Sequence, residues 1–523
     1  MDGAVPDADG LEFERVPFRH QLEALRWSRG RAHYCLNSEQ GTGKTFVLIA
    51  DLARRFFSGR LHAALVIAPN GVQRNWHSRE LPQCAPKGFR YRSAVYGTSA
   101  KDRRQVDTVM QVEPGEFKIL LMHYDALATK KGHEAAVAFC QTMQRLGLAI
   151  ICDESQRVKS PSAIRTRALH SLRRYASMRV LSTGTPILNA PFDAFSQYTF
   201  LDPNLFGITS FVAFKSEYAE LLPPNSPLMR KIAEGLRPGM PLPTVVAKDK
   251  AGQPKWRNLD KLAEILQQHS HRVLKRDCLD LPPKIYVERE FEMTPTQARV
   301  YQVARDELRL LLSSGEALPI AARIGAFTKL SQIVSGYFLA PGTARPLMLH
   351  NGKDNNPKVQ VLKEEVETCI DNDENIIIFA RFIEELKIVS AALTDMEVSH
   401  VMYHGSVSAE DRDKAIDDFQ ARRVRVFLAQ CATGSTGLTL TAASTVIYFS
   451  NTWSYGDRSQ NEDRAHRIGQ TAERVRYVDI LAADSIDRKV VDALKNKLDL
   501  AQILSGDREV VLAHMFETQG RTQ

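Results

Sequence analysis

What this 523-residue chain lacks narrows the field first. None of its seven cysteines forms a CxxC pair: Cys35, Cys84, Cys140, Cys152, Cys278, Cys369 and Cys431 lie scattered. That spacing suits neither a zinc site nor a disulfide framework and points to free thiols in a reducing cytosol. No apolar run approaches the ~20 residues needed to cross a bilayer; the run at 376–379 is typical of the short ones present. The opening residues, MDGAVPDADG, are acidic and polar, unlike a secretory leader. The expectation is a soluble, intracellular protein with no membrane partner. No tract is biased enough for a fibre or for wholesale disorder, since 44% of residues are apolar and 25% charged. Strong charge of one sign is missing too: 69 Lys and Arg against 61 Asp and Glu leave only +8. So mild an excess suits a polyanionic partner without demanding one.

What is present is a rhythm. Short apolar runs at 34–36, 65–68, 119–122, 148–152 and 180–182 alternate with helical stretches. The rhythm returns at 376–379, 424–428, 446–449 and 475–479. Such runs, spaced by helices, are what a parallel sheet covered on both faces demands. Two blocks imply two α/β domains. The expected division is a loose tail at 1–16, a first α/β core at 17–202 and a helical, Pro-rich insertion at 203–257. The end of the first lobe and the connection follow at 258–284, with the boundary at 281–284. A helical insertion at 285–345 carries Arg299, Arg305 and Arg309. A second α/β core occupies 346–500, and a tail 501–523.

Residues 34–50, YCLNSEQGTGKTFVLIA, run from an apolar strand through a Gly-rich turn into an apolar helix. Backbone amides of such a turn, with a helix amino terminus, wrap a phosphate chain. The expected nucleotide ligands are Glu39, Gln40, Gly41, Thr42, Gly43, Lys44 and Thr45. Lys44 would reach the β and γ phosphates, and the Thr45 hydroxyl would sit on Mg²⁺. The first glycine of the usual GxxxxGK[ST] pattern is Ser38 here. Residues 148–154, LAIICDE, form an apolar strand ending in two acids. Asp153 would hold Mg²⁺, and Glu154 would orient or deprotonate an attacking water. Later, Gln460, Arg464 and Arg467 fall at i, i+4 and i+7. That spacing shares one helix face, where it either supplies planar cationic cover for a phosphate or makes a solvated salt-bridge face.

These segments carry a resemblance. YCLNSEQGTGKT and IICDESQRVKS resemble motifs I and II of superfamily-two helicases. CATGSTGLTLTA at 431–442 resembles motif V, and QNEDRAHRIGQ at 460–470 resembles motif VI in its Swi/Snf-related form. FRHQLEAL at 18–25, LVIAPNGVQRNWHSRE at 65–80, LLMHYDALA at 120–128 and YHGSVSAEDRDKAIDDF at 403–419 match in the expected order. The chain thus resembles the Swi/Snf-related double-stranded DNA translocases over most of 18–500. The resemblance implies an α/β fold of two RecA-like P-loop lobes, each a mostly parallel sheet flanked by helices, with helical insertions. It implies ATP and Mg²⁺ as cofactors, double-stranded DNA as a partner, and room for a protein partner. Gln21 resembles the residue that reads the adenine edge, with Phe18 and Arg19 beside it. Thr183, Gly184 and Thr185 resemble motif III, which links nucleotide state to the DNA track. Gly434, Gly437 and Leu438 resemble the motif V turn, near nucleotide and DNA backbone. Trp453 is a further coupling candidate. Gln460, Arg464 and Arg467 resemble the motif VI residues whose arginines reach the γ-phosphate.

Some positions depart from the family pattern. Gln156 stands where the family often has His, so no proton-transfer role is expected there. Ser38 replaces a usual Asp, and the family's Trp–Asn–Pro element reads Thr452, Trp453, Ser454. The matched motifs leave no room for a chromodomain, bromodomain, zinc finger or ring domain, so the expectation is a motor without targeting modules. The leading expectation is an ATPase that moves along duplex DNA without separating strands. Two alternatives stand beside it: a strand-unwinding or annealing helicase on DNA or RNA, and a nucleic-acid-dependent switch that recruits a protein partner.

Overall fold

The segment AALVIA (β2, Ala63–Ala68) is buried along its whole length, as a strand covered by helices on both faces must be. In the computed structural model it lies inside a parallel sheet. The structure describes residues 10–184, 190–234, 236, 242–249, 254–313, 320–339, 345–349, 356–434 and 438–496. The chain divides into two units, Met1–Leu279 and Asp280–Gln523.

The first unit holds β1 (His33–Ser38), β2, β3 (Tyr91–Val95), β4 (Phe117–His123), β5 (Leu148–Asp153), β6 (Met178–Thr183) and β7 (Ser270–Val273). Their order is β3-β4-β2-β5-β6-β1-β7, with every pairing parallel. Separate apolar clusters fill the two faces of this sheet, one containing Leu65, Ile150 and Phe139, the other Val66, Ile151 and Trp76. The helix Lys44–Phe57 is fixed by a buried charge: the Asp51 carboxylate accepts from Tyr34 Oη of β1 at 2.7 Å, from Arg55 Nε at 3.0 Å and from Arg54. Leu11 and Phe13 fall within the stretch expected to be a loose tail. Both pack on the core, with the Phe13 ring 4.7 Å from that of Phe46. Burying two apolar side chains is reason enough for that segment to dock. Residues 203–257 supply the helices Phe211–Tyr218 and Pro227–Glu234, with short antiparallel bridges such as Leu221 to Val246.

The second unit holds β8 (Lys284–Phe291), β9 (Tyr337–Phe338), β10 (Leu347–Met348), β11 (Asn375–Ala380), β12 (His400–Tyr403), β13 (Val426–Gln430), β14 (Ala443–Tyr448) and β15 (Val475–Ala482). The main sheet runs β12-β13-β11-β14-β15-β8, again all parallel, and β9 pairs with β10 alone. Central β11, NIIIFA, is wholly buried. The helices Pro295–Ser313 and Ile320–Val334 pack on this unit through Tyr301, Leu308, Phe327 and Leu330. Among the described residues, no helix is long and apolar enough to cross a membrane.

Candidate active site

Strand register brings the first unit's chemistry together. Asp153, the last residue of β5, pairs with Ser182 of β6, and Thr183 of β6 pairs with Asn37 of β1. The loop at 38–45, the two acids and Thr183 therefore share the carboxyl edge of three adjacent strands. In open α/β sheets that edge is where ligands bind.

The loop is shaped from several sides. Gly41 and Gly43 have φ of 80° and 84°, a left-handed backbone that glycine adopts without strain. A Cβ on Gly43 would stand 2.1 Å from Gln21 Nε2. Lys44 Nζ donates to the Ser38 carbonyl at 2.8 Å and the Glu39 carbonyl at 3.3 Å, so the ammonium is folded over the loop. From the helix Arg19–Ser28, His20 Nε2–H donates to the Thr42 carbonyl at 2.8 Å and Gln21 Nε2 to the same oxygen at 3.3 Å. Phe18 is 43% exposed with its ring stacked near His20. Arg19 projects to solvent and pairs with Glu23. Glu39, expected among the nucleotide ligands, faces another way: its carboxylate accepts from the Lys275 N–H at 2.8 Å. The start of the short helix Lys275–Cys278 offers that amide, and an anion gains nothing from facing phosphates.

Both acids are constrained. Asp153 is buried; it accepts from Trp76 Nε1 at 3.1 Å, from Ser182 Oγ at 3.0 Å and from the Glu154 N–H at 3.1 Å. Burial, then the neighbouring Glu154 charge, pushes its pKa up to about 6, against the opposing pull of the Trp76 bond, Lys44 and the Ser182 bond. Glu154 adopts φ 52°, ψ 54°, a strained conformation for a side chain of this size. Its Oε1 accepts from Gln40 Nε2 at 3.2 Å and its Oε2 from Gln156 Nε2 at 2.7 Å. Gln156 Oε1 in turn accepts from Thr183 Oγ1 at 2.7 Å. An unbroken hydrogen-bonded line thus runs from the phosphate loop through Glu154 to the end of β6. The Thr45 hydroxyl and Asp153 carboxylate are hard oxygen donors of the kind Mg²⁺ takes alongside substrate phosphates. Among the described residues, no group of three or more His, Cys, Asp or Glu could form an all-protein metal cage. The donor set therefore fits Mg²⁺ shared with a nucleotide.

In the second unit the helix Tyr455–Ala465 carries Gln460 and Arg464, but it stops before Arg467. The expected shared helix face is corrected accordingly, because His466 leaves the helical region with ψ 75°. The two arginines converge all the same: Arg464 Nη1 and Arg467 Nη1 both donate to the Leu438 carbonyl, at 3.1 and 2.9 Å. Arg464 Nε also donates to the Gln460 carbonyl at 2.9 Å. Gly434 ends the short helix Cys431–Gly434. Thr185 and Gly437 lie outside the described residues. Gly184 follows β6, and a Cβ there would meet the Gln40 nitrogen at 3.3 Å. Trp453, expected to couple to DNA, is only 4% exposed, its ring centroid 6.0 Å from that of Phe327. It is a core residue, corrected on the ground that its ring is spent on packing.

His20, Trp76 and Ser182 are contributors that no motif position marked. Each lies within or beside a matched segment, and nothing in its spacing announced contact with the loop or Asp153. Arg458 carried no such signal either. That buried guanidinium bridges Asp479 at 2.5 and 3.1 Å and Glu462 at 2.9 Å, and lies 3.6 Å from the Tyr448 ring centroid.

Comparison with known proteins places this arrangement. Residues 20–336 match the family model described as SNF2-related domain, and 357–469 match Helicase conserved C-terminal domain. ATP-dependent helicase FUN30 of Saccharomyces cerevisiae is 25% identical over 530 residues, covering 91% of this chain and 45% of the relative. Chromodomain-helicase-DNA-binding protein 1-like of Danio rerio is 24% identical over 495 residues, covering 92% and 43%. The chain thus spans less than half the length of these curated relatives. The solved Sulfolobus solfataricus SWI2/SNF2 ATPase core in complex with dsDNA is 25% identical and covers 97% of this chain and 98% of its own. The TM-score of that superposition is 0.40. The SNF2-related match alone takes in more than half of the residues: this chain belongs to the SNF2-related family of superfamily-two helicases.

Proposed function

We propose that this chain hydrolyses ATP and uses the cycle to move along double-stranded DNA without separating the strands. The observation that carries the reading is the line Gln40–Glu154–Gln156–Thr183 beside Lys44. It places a fixed carboxylate next to a phosphate-binding loop and ties that carboxylate to the strand end leading into motif III. Two side-chain amides hold the two oxygens of Glu154, and a carboxylate fixed in this way would orient a water or take a proton from it. Lys44, which donates to the Ser38 and Glu39 carbonyls, would exchange them for the β and γ phosphates. Thr45 and Asp153 would hold Mg²⁺, which when bound neutralises phosphate charge. Arg464 and Arg467 would supply the planar donors that meet charge developing on the transferred group. Gln21 would meet the adenine edge, with Phe18 offering an exposed ring.

A motor gripping phosphates reads no bases, so sequence preference should be weak and affinity should fall steeply with salt. The experiment compares ATP turnover with duplex DNA, single strands and RNA, then third-strand displacement beside unwinding of a forked duplex. Duplex-stimulated turnover with displacement and little unwinding is expected, all lost in Lys44→Ala. Glu154→Gln should bind ATP and fail to turn it over. Efficient unwinding, or displacement independent of Lys44, would overturn the reading in favour of a strand-separating helicase. Stimulated turnover with no displacement would favour a switch that recruits a protein partner.

A further inference from the structure

The first residues of the second unit are joined to the Arg464 and Arg467 segment at three points. His466 Nε2–H donates to the Pro282 carbonyl at 2.9 Å. Lys284 Nζ donates to Glu462 Oε2 at 2.9 Å, and Tyr286 Oη donates to the same oxygen at 2.8 Å. Glu462 and His466 bracket Arg464, and His466 directly precedes Arg467. The Glu462 end of the clamp is anchored in the core of the unit, while Tyr286 lies at its surface. Glu462 is 7% exposed, with its other oxygen on Arg458 Nε, and its backbone carbonyl accepts from Tyr477 Oη at 2.9 Å. The Tyr286 and Tyr477 rings stack 5.4 Å apart. Burial alone would raise the Glu462 carboxyl; Lys284 and Arg458 more than offset this and hold it below the ordinary range. An ionised, multiply bonded carboxylate makes a stiff attachment. Residues 282–286 begin three positions after the division between the units, so this is where the chain arriving from the first unit enters the second.

We infer that residues 282–286 are a positioning element for the arginine pair, fixing where Arg464 and Arg467 stand through Glu462 and His466. The inference rests on the proposed role of those arginines in ATP turnover. Its physical content is that the guanidinium groups take their place from the connecting segment as well as from their own helix. A change in the path of that segment is therefore carried to them through three short bonds. Such a residue sets the rate of the chemical step while leaving substrate binding alone, since transition-state charge is more sensitive to donor placement than ground-state binding is.

The test uses the full chain with saturating duplex DNA and reads kcat, KM for ATP and Tm. The variants are His466→Ala, His466→Gln, Tyr286→Phe and Lys284→Met, with Arg467→Ala as the control. His466→Ala and the Tyr286→Phe, Lys284→Met double variant should lose between about 10- and 100-fold in kcat, and KM should stay within about twofold. His466→Gln, whose amide can still donate to Pro282, should recover most of the loss. Tyr286→Phe keeps the ring stack and removes one hydroxyl, so its kcat is informative even if a larger change impairs folding. Unchanged kcat in Tyr286→Phe and His466→Ala, an effect confined to KM, or equal losses in His466→Ala and His466→Gln would each overturn the inference. Undiminished turnover in Arg467→Ala would instead show that the underlying reading of the arginines is wrong.

Discussion

Gly43 shows how much one position can be asked to do. Its φ of 84° is left-handed, and its missing side chain leaves space that Gln21 Nε2 fills. Gly43→Ala meets both constraints at once. The backbone penalty for a β-carbon in this region is roughly 1–2 kcal/mol, which corresponds to about a tenfold loss of nucleotide affinity if the loop distorts to relieve it. Titration of a fluorescent ATP analogue should show that loss at unchanged Tm, whereas equal affinity would mean that the loop tolerates the methyl group. Arg467 acts differently. It sits outside the helix, on the Leu438 carbonyl, so its removal takes away a donor and leaves the packed face intact. Arg467→Ala should lower kcat by about 10³ or more, the lower range for an arginine finger, and should barely alter nucleotide binding. A KM effect without a kcat effect would assign it to ground-state binding.

At the scale of elements, the helix Lys44–Phe57 both presents the phosphate loop and locks onto β1. Asp51 joins them with no exposed side-chain surface, facing Arg54 and Arg55 that are nearly as buried. Asp51→Ala would leave two buried guanidinium groups without their counter-charge, a loss of about 3–5 kcal/mol, visible as a lower urea midpoint. A midpoint shift near zero would show that the arginines find water. The helix Ile164–Leu172 carries a titrating anchor: His170 Nε2–H donates to the Ser196 carbonyl at 2.9 Å. Burial lowers its pKa from 6.5 to about 4, partly countered by that hydrogen bond. Between those values the unfolded chain binds the proton and the folded chain does not. Stability from this group is thus complete above pH 6.5 and falls as the pH drops toward 4. Urea midpoints at pH 7.5 and pH 5 should differ less in His170→Gln than in the parent chain. An identical difference would show that other groups carry the acid sensitivity.

At the scale of the whole molecule, the proposed reaction needs Lys44, Asp153 and Glu154, which belong to one unit, and Arg464 and Arg467, which belong to the other. Residues 1–279 and 280–523, expressed apart, should therefore each lack ATP turnover, even where circular dichroism shows folded chains. Hydrolysis by residues 1–279 alone would remove the second unit from the chemistry. The helices Pro295–Ser313 and Ile320–Val334 lie inside the SNF2-related match. Their shared packing through Tyr301 and Phe327 makes them part of the second unit's core as much as an insertion upon it.

The amino-acid sequence by itself determined the central strands, because segments such as NIIIFA and AALVIA are buried on both faces and can be little else. It also determined the phosphate loop, whose glycines, Lys44 and Thr45 are consecutive, and the acids that end β5. In the two main sheets, the strands it did not reveal are the four edges: Tyr91–Val95, Ser270–Val273, His400–Tyr403 and Lys284–Phe291. An edge has only one neighbouring strand and tolerates polar residues, so YRSAV, SHRV and KIYVEREF carry no continuous apolar signal. Only the tertiary structure decided which groups hold the catalytic candidates in place. Trp76 on Asp153, Gln40 on Glu154 and Pro282 on His466 are separated by 77, 114 and 184 positions. No local periodicity encodes such pairings; they arise when parallel strands stack in a particular order and bring their carboxyl ends to one edge. The same holds for Arg467. Its spacing placed it on a helix face, but the helix ended at Ala465, and a carbonyl from a distant turn fixed its position instead.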